Sequence, residues 1–292
     1  MNAIQTDSLT KFYGNSRGII DLDIKVNEGE FFGFIGPNGA GKSTTIRILL
    51  GLIHKTRGNA WILGKDISKE KEQILSEVGY LPAEAVFYPN MRGRDLIRLS
   101  ADLHRKDCRK AAYDLCERLQ LDSSRRISEL SFGNRKKLAI ICALQHDPKL
   151  CILDEPTGGL DPLMQREFFK ILKERNQKGM TVFLSSHILS EVQRYCSRAA
   201  IIREGRIIAS GSVEELARTN AKRVSVRGSL DLTGLSHVRD LHISDDIISF
   251  LYGGDINILL SKLNGYRLKD LTISEPDLEE IFLHYYTEGD EQ

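Results

Sequence analysis

The sequence predicts an α/β protein: a core sheet containing parallel strands, a helical insert within that core, and a small α+β domain after it. Three observations carry this prediction. Apolar runs of strand length, at Phe31 to Ile35, Leu150 to Leu153 and Thr181 to Leu184, alternate with segments of helical spacing. That order gives a parallel sheet with helices on its faces. Residues from about 84 to 146 are mostly helical in pattern, and from about Ala221 the two-residue alternation of half-buried strands returns. The expected domains are therefore 1–218, which contains the insert, and 221–292.

Each element has its own signal. Ile20, Leu22, Ile24 and Val26 alternate with Asp21, Asp23 and Lys25, the pattern of a strand with one buried face. The run Phe31-Phe32-Gly33-Phe34-Ile35 is almost continuously apolar and stops at Gly36, as a strand buried on both faces does. After Lys42 the spacing turns helical, with Ile46, Leu49, Leu50 and Ile53 before a break at His54 to Gly58. In the insert, Leu96, Leu99, Leu103 and then Ala112, Leu115, Leu119 recur every three to four residues. In the last domain, Val224 and Val226 alternate with polar neighbours, Ile247 to Tyr252 is an apolar strand, and Ile256 to Leu263 is a helix. Leu271 and Ile273 then alternate again. Ser274-x-x-Asp277, with Pro276, is a capping-box start for a final helix.

Composition is that of a soluble globular protein, with 41% hydrophobic and 28% charged residues among 292. A formal net charge of +1 gives no global field that would draw in nucleic acid or an acidic membrane. The N-terminal residues do not read as a secretory signal. The longest apolar run, Leu138 to Leu144, is far short of the roughly 20 residues that span a bilayer. If this chain serves a membrane, another chain must supply the spans. Five cysteines without a C-x-x-C pair suggest neither a zinc site nor a disulfide framework, and point to reducing cytosol.

The chemistry concentrates in a few short stretches. Gly36-Pro37-Asn38-Gly39-Ala40-Gly41-Lys42-Ser43-Thr44 matches G-x-x-x-x-G-K-[ST], following a buried strand and opening a helix. Glycines let the backbone curl so that N–H groups point inward at phosphate oxygens, and the helix N-terminus adds partial positive charge. Lys42 brings a full charge to the β/γ-phosphates, and the Ser43 hydroxyl is a ligand for Mg²⁺. The counterpart is Leu150-Cys151-Ile152-Leu153-Asp154-Glu155, an apolar strand ending in two carboxylates. Asp154 is placed to hold magnesium through water, and Glu155 to orient and activate the attacking water. These features make ATP-Mg²⁺ the expected ligand.

With those motifs in order, residues 1 to 218 resemble the ATP-binding subunit of an ABC transporter. Leu130-Ser131-Phe132-Gly133-Asn134 resembles that family's signature motif, Gly158-Gly159-Leu160-Asp161 its D-loop, and Ser185-Ser186-His187 its switch histidine. Tyr13 resembles the aromatic that stacks on adenine, against the simpler reading of packing at a strand edge. The resemblance implies a P-loop NTPase core with a mixed sheet, and a pair of subunits sandwiching nucleotide. Ser131 and Gly133 would contact the γ-phosphate held in the other subunit's P-loop. Asn134 begins a helix whose amides favour an anion, and Asp161 joins the nucleotide site. His187 would bond the γ-phosphate and position water; a satisfied structural histidine is the alternative.

Two departures stand out. The family often has Gly-Gly-Gln where this chain has Phe132-Gly133-Asn134. Gly79-Tyr80-Leu81-Pro82 normally leads into a glutamine touching magnesium and water, and here that place is Ala83, followed by Glu84. Whether Glu84 substitutes is open. The basic stretches Arg125-Arg126 and Arg135-Lys136-Lys137 have no interleaved aromatics. They read as solvated charge near the nucleotide, and no nucleic-acid partner is expected.

The Gly79 region and the ending Leu271 to Phe282 are most similar to drug- and antibiotic-export subunits of the bacitracin type. The implied partners are an integral membrane permease and a second ATP-binding subunit, in a homodimer on the inner face of the cell membrane. Val86, Phe87, Tyr88 and Met91 are the expected seat for a helix of the permease. The alternative is a soluble ATP switch of the same family acting on a partner such as the ribosome.

Overall fold

The computed structural model describes residues 1–14, 16–217, 222–244 and 246–274. The chain divides into two compact units, Met1–Val213 and Glu214–Gln292. The boundary expected at 218–221, and the helix expected from Ser274-x-x-Asp277 onward, fall outside the described residues.

In chain order the first unit begins with β1 (Asn2–Tyr13), β2 (Ser16–Leu22), β3 (Lys25–Asn27), β4 (Phe31–Ile35), α1 (Lys42–Leu49), β5 (Arg57–Ile62), β6 (Lys65–Asp66), α2 (Lys71–Glu77) and β7 (Val78–Leu81). The insert follows as α3 (Gly93–Leu103), α4 (Arg109–Arg118), a 3₁₀ turn at Ile127–Glu129, and α5 (Phe132–Leu144). The unit ends with β8 (Leu150–Asp154), α6 (Pro162–Asn176), β9 (Thr181–Ser186), α7 (Leu189–Tyr195), β10 (Arg198–Arg203) and β11 (Arg206–Ser212).

Two sheets result. The first is antiparallel, in the order β2-β1-β5-β6, with β3 also on β1. Here the strand expected through Ile20, Leu22, Ile24 and Val26 is broken. Asp21 takes φ 47°, its N–H donating to the Thr10 hydroxyl at 3.0 Å. This bulge re-phases the alternation, so Ile19 and Leu22 are buried while Ile20 is half-buried.

The second sheet runs β11-β10-β4-β9-β8-β7. Its strands are parallel except β11, which is antiparallel to β10, so the sheet is mixed as expected. Every residue of β4, β8 and β9 is buried, which explains their continuous apolar runs. Phe32 and Phe34 pack on Phe183 with ring centroids 5.9 and 5.3 Å apart. Burial of each such side chain contributes roughly 1.5–3 kcal/mol. The register pairs Ile35 with Ser186 and Asp154 with Ser185. Because these strands are parallel neighbours, the residues after them, Gly36, Glu155 and His187, emerge at one edge.

The insert differs from expectation in one stripe. Helix α3 buries Leu96, Ile97 and Ala101, whereas Leu99 is 40% and Leu103 76% exposed. The buried face is the one held to α5: Gln145 Nε2 donates to the Ile97 carbonyl at 2.8 Å, and the Ser100 hydroxyl to the Cys142 carbonyl at 3.4 Å. Beyond α5, His146 stacks on His104 with centroids 3.6 Å apart. Burial, helped by the neighbouring His104, pushes His146 down to about 4. Burial likewise pushes the Cys151 thiol up to about 12, in keeping with an inert core cysteine.

From α8 (Val213–Ala217) the chain continues into β12 (Lys222–Arg227), β13 (Val238–Ser244), β14 (Ile247–Tyr252), α9 (Ile256–Asn264) and β15 (Asp270–Ser274). The four strands form an antiparallel sheet in the order β13-β14-β12-β15. Helix α9, capped by Asp255 accepting from Asn257 N–H at 2.8 Å, lays Leu259 and Leu263 on Val224, Val226, Phe250 and Tyr252. The described part is α+β, as its alternating segments predict.

Candidate active site

The stretch from Gly36 to Thr44 leaves β4 and enters α1. Pro37, Asn38 and Gly39 are exposed, and Ala40 turns inward, its carbonyl accepting from Gly205 N–H at 2.9 Å. Gly41 has φ 113°, and a Cβ there would meet Ile19 Cγ2 at 2.8 Å and the Gly18 carbonyl oxygen at 3.2 Å. Only glycine suits that turn. Helix α1 has neither a side-chain cap nor an acidic residue in its first turn. Its leading amides, Ser43 and Thr44 among them, are therefore open to an anion.

Lys42 is 5% exposed and donates to the Gly36 carbonyl at 2.7 Å and the Pro37 carbonyl at 3.1 Å. Its ammonium lies 3.4 Å from Glu155 Oε1, and the same oxygen is 3.2 Å from His187 Nδ1. Asp154, the last residue of β8, is buried and accepts from the Ser185 hydroxyl through Oδ1 at 3.0 Å. Glu155 then turns sharply with φ 45°, a conformation costing a non-glycine residue roughly 1–2 kcal/mol. Its N–H donates to the Ser185 carbonyl at 3.0 Å, which aims the carboxylate at the loop edge. His187 is half exposed. Ser186, just before it, is fixed by its hydroxyl donating to Glu191 Oε2 at 2.8 Å.

The other candidates form separate groups. Ser131 caps α5, its hydroxyl accepting from Asn134 N–H at 3.3 Å, so the hydroxyl proton stays available to donate. Gly133 allows close approach: a Cβ would stand 2.6 Å from the Gly159 carbonyl oxygen. The exposed ring of Phe132 covers Gly159. Asp161 caps α6, accepting from the N–H groups of Leu163 and Met164 at 3.0 Å each. Tyr13, 45% exposed, ends β1 and lies over Gly18, the residue that also faces Gly41.

One functional candidate escaped the motifs. Lys136, read from sequence as solvated, is only 2% exposed. Its ammonium donates to the carbonyls of Pro82 at 3.0 Å, Ala83 at 2.9 Å and Glu155 at 3.2 Å. Burial pushes it down to about 8, opposed by the pull of Asp154 and Glu155. The signal was in the spacing: Lys136 shares a helical face with Ala139, Ile140 and Ala143, all buried. Neither Ala83 nor Glu84 presents a buried side chain, and Glu84 is exposed.

A lysine held in a loop of carbonyls and amides, facing a carboxylate oxygen that an imidazole also meets, suits polyphosphate cleavage by water. The class is the P-loop ATPase. Comparison with known proteins narrows it. Residues 19–158 match the family model described as ABC transporter. The chain is 35% identical to the bacitracin transport ATP-binding protein BcrA of Bacillus licheniformis, across 96% of both chains. It is 29% identical to the linearmycin resistance ATP-binding protein LnrL of Bacillus subtilis, across 96% of this chain and 97% of that one. A solved ATP-binding subunit of an ABC transporter superposes with TM-score 0.69 at 31% identity, over 74% of this chain and 92% of the other. The chain belongs to the ABC transporter family. It is an ATP-binding and ATP-hydrolysing subunit that powers transport.

Proposed function

We propose that two copies of this chain sandwich two ATP molecules and drive an antibiotic exporter whose membrane spans belong to a separate permease. The observation that carries this reading is the convergence of Lys42, Glu155 and His187 at the mouth of the phosphate loop. Among the described residues no helix is long and apolar enough to cross a membrane; in this reading the spans belong to the partner, and this chain works at the membrane's inner face. The relatives named for bacitracin transport and linearmycin resistance support antibiotic export. No observation favours the soluble switch.

Each side chain then has a task. Lys42 gives its ammonium to the β/γ-phosphate oxygens, exchanging the Gly36 and Pro37 carbonyls for ligand. Glu155 takes the proton of the attacking water, and His187, already on Glu155, holds that water and the γ-phosphate in line. Ser131, Gly133 and the amide of Asn134 donate to the γ-phosphate in the partner's loop, with Asp161 near that junction. Tyr13 stacks on the adenine. The residues also fit magnesium: the Ser43 hydroxyl and the Asp154 carboxylate, only one of whose oxygens is engaged by Ser185 among the described residues, are the hard oxygen donors it takes. When bound, magnesium supplies positive charge to the phosphate oxygens.

For the permease, the loop before α3 offers an apolar surface. Val86 is 88% and Tyr88 70% exposed, while Phe87 and Met91 are half-buried. The loop is backed by the 3₁₀ turn, through Ile127 N–H to Met91 O at 2.9 Å and Ser128 N–H to Pro89 O at 3.0 Å. Exposed aromatic and aliphatic groups on a braced loop suit an apolar helix. Glu155→Gln tests the pair: it should bind ATP-Mg²⁺, slow turnover by orders of magnitude and accumulate as a dimer in light scattering. Monomer alone in excess ATP-Mg²⁺ would sink the sandwich.

A further inference from the structure

Lys136 uses all three ammonium protons on backbone carbonyls from two segments far apart in sequence, Pro82-Ala83 after β7 and Glu155 after β8. A lysine at 2% exposure is an expensive way to fill a core, because a desolvated charge costs more than an apolar side chain of similar volume. What it supplies that an apolar residue cannot is a fixed distance between three strand and helix ends. One of those ends is the turn from which the Glu155 carboxylate projects, at φ 45°. Another is Ala83, whose methyl group has nothing to offer a ligand. The third is α5 itself, which begins at the Ser131 cap.

We propose that Lys136 is a positioning residue for ATP hydrolysis: by gripping the Pro82, Ala83 and Glu155 carbonyls it holds the strained Glu155 turn in the geometry that aims the carboxylate at the attacking water. This rests on the reading of Glu155 as the water-activating group. The grip needs N–H donors at that place rather than charge as such. Glutamine has two N–H groups and can serve two of the three carbonyls, whereas methionine fills the volume and serves none.

The test compares K136M and K136Q in the full chain, alone and in the E155Q background, measuring nucleotide affinity, KM and kcat. K136M should bind ATP within about threefold of the wild type and keep its KM, while kcat falls about tenfold or more. K136Q should return kcat to within about threefold of the wild type. In the E155Q background K136M should cause no further loss, since the group it positions is already disabled. Wild-type kcat in K136M, a raised KM with kcat unchanged, or equal loss in K136Q and K136M would each overturn the proposal. E155Q at the wild-type rate would instead overturn the reading of Glu155, and the proposal with it. Should K136M not fold, K136R decides. Its guanidinium offers five N–H donors to the same carbonyls, so kcat should stay within about threefold of the wild type with affinity kept; a kcat reduced about tenfold overturns the proposal.

Discussion

Buried charge separates the two units. In the first, Lys42, Lys136, Asp154 and Glu191 are all at most 9% exposed. In the second, every buried side chain among the described residues is aliphatic or aromatic, from Val224 to Leu263. Among the described residues the second is a four-stranded antiparallel sheet with α9 packed on it, its ion pairs such as Arg223 with Asp240 lying outside the buried core. The first spends stability on desolvated ions and on a left-handed Glu155. Groups that are costly to bury and cluster at one sheet edge are a common mark of a chemical site, and among the described residues they are found in the first unit.

Four experiments press on that contrast. The largest effect should come from Lys42→Ala, which removes the charge that answers the phosphates; ATP hydrolysis should vanish and nucleotide binding weaken. Hydrolysis at the wild-type rate would mean that the phosphate loop has been misassigned. Next is Tyr88→Glu on the exposed loop. Because the ring is 70% exposed, melting temperature and ATP binding should stay as they are, while co-purification with the permease is lost. Retained co-purification, or a collapsed fold, would remove the docking surface from consideration.

The third uses pH. His146 is held near 4 in the folded chain, below the ordinary histidine value of about 6.5. The unfolded chain therefore binds more protons between those values, so this stabilisation is complete above about pH 6.5 and is lost as pH falls toward 4. The loss approaches roughly 3 kcal/mol only once the ring is protonated in both the folded and the unfolded chain, below about pH 4. His146→Gln should flatten that part of the dependence of urea midpoints between pH 7.5 and 4.5; an unchanged slope would show that other groups set it. The smallest effect is expected from shortening the chain after Thr219, on the reading that residues beyond about 221 form a separate domain. Such a protein should fold and bind ATP as the full chain does, and folding without ATP binding would place part of the site beyond that point.

Legibility in the sequence followed range. The phosphate loop and the Asp154-Glu155 strand end could be read because each motif is contiguous and its chemistry is set by neighbours one to six residues away. In the second unit β12, β14, α9 and β15 were equally plain, whereas β13 was not anticipated, because its residues are half-buried or exposed throughout and show no apolar face. Ile20 misled because a single bulge at Asp21 re-phases a strand, and nothing in the alternation announces it. Helix α3 carries two overlapping apolar stripes, one through Leu99 and Leu103 and one through Ile97 and Ala101; only the position of α5 selects the second. Lys136 was missed for a related reason. Its three partners come from segments distant in sequence, and its type suggested solvent even though its helical phase pointed inward.

Helix α5 is also a stiff beam. It is pinned in its second turn by Lys136, carries the Ser131 cap at one end, and at the other is roped to α3 by Gln145. At 1.5 Å per residue the arms on either side of the pin are about 7 Å toward Ser131 and about 13 Å toward Gln145. Lys136, Leu138, Ala139, Ile140, Ile141, Ala143 and Leu144 are buried along the length of α5, so the helix is held as one rigid element between the Gln145 contact and the Ser131 cap. Spin-label distances from each end of α5 to β8 would show the two ends keeping one fixed relation to each other.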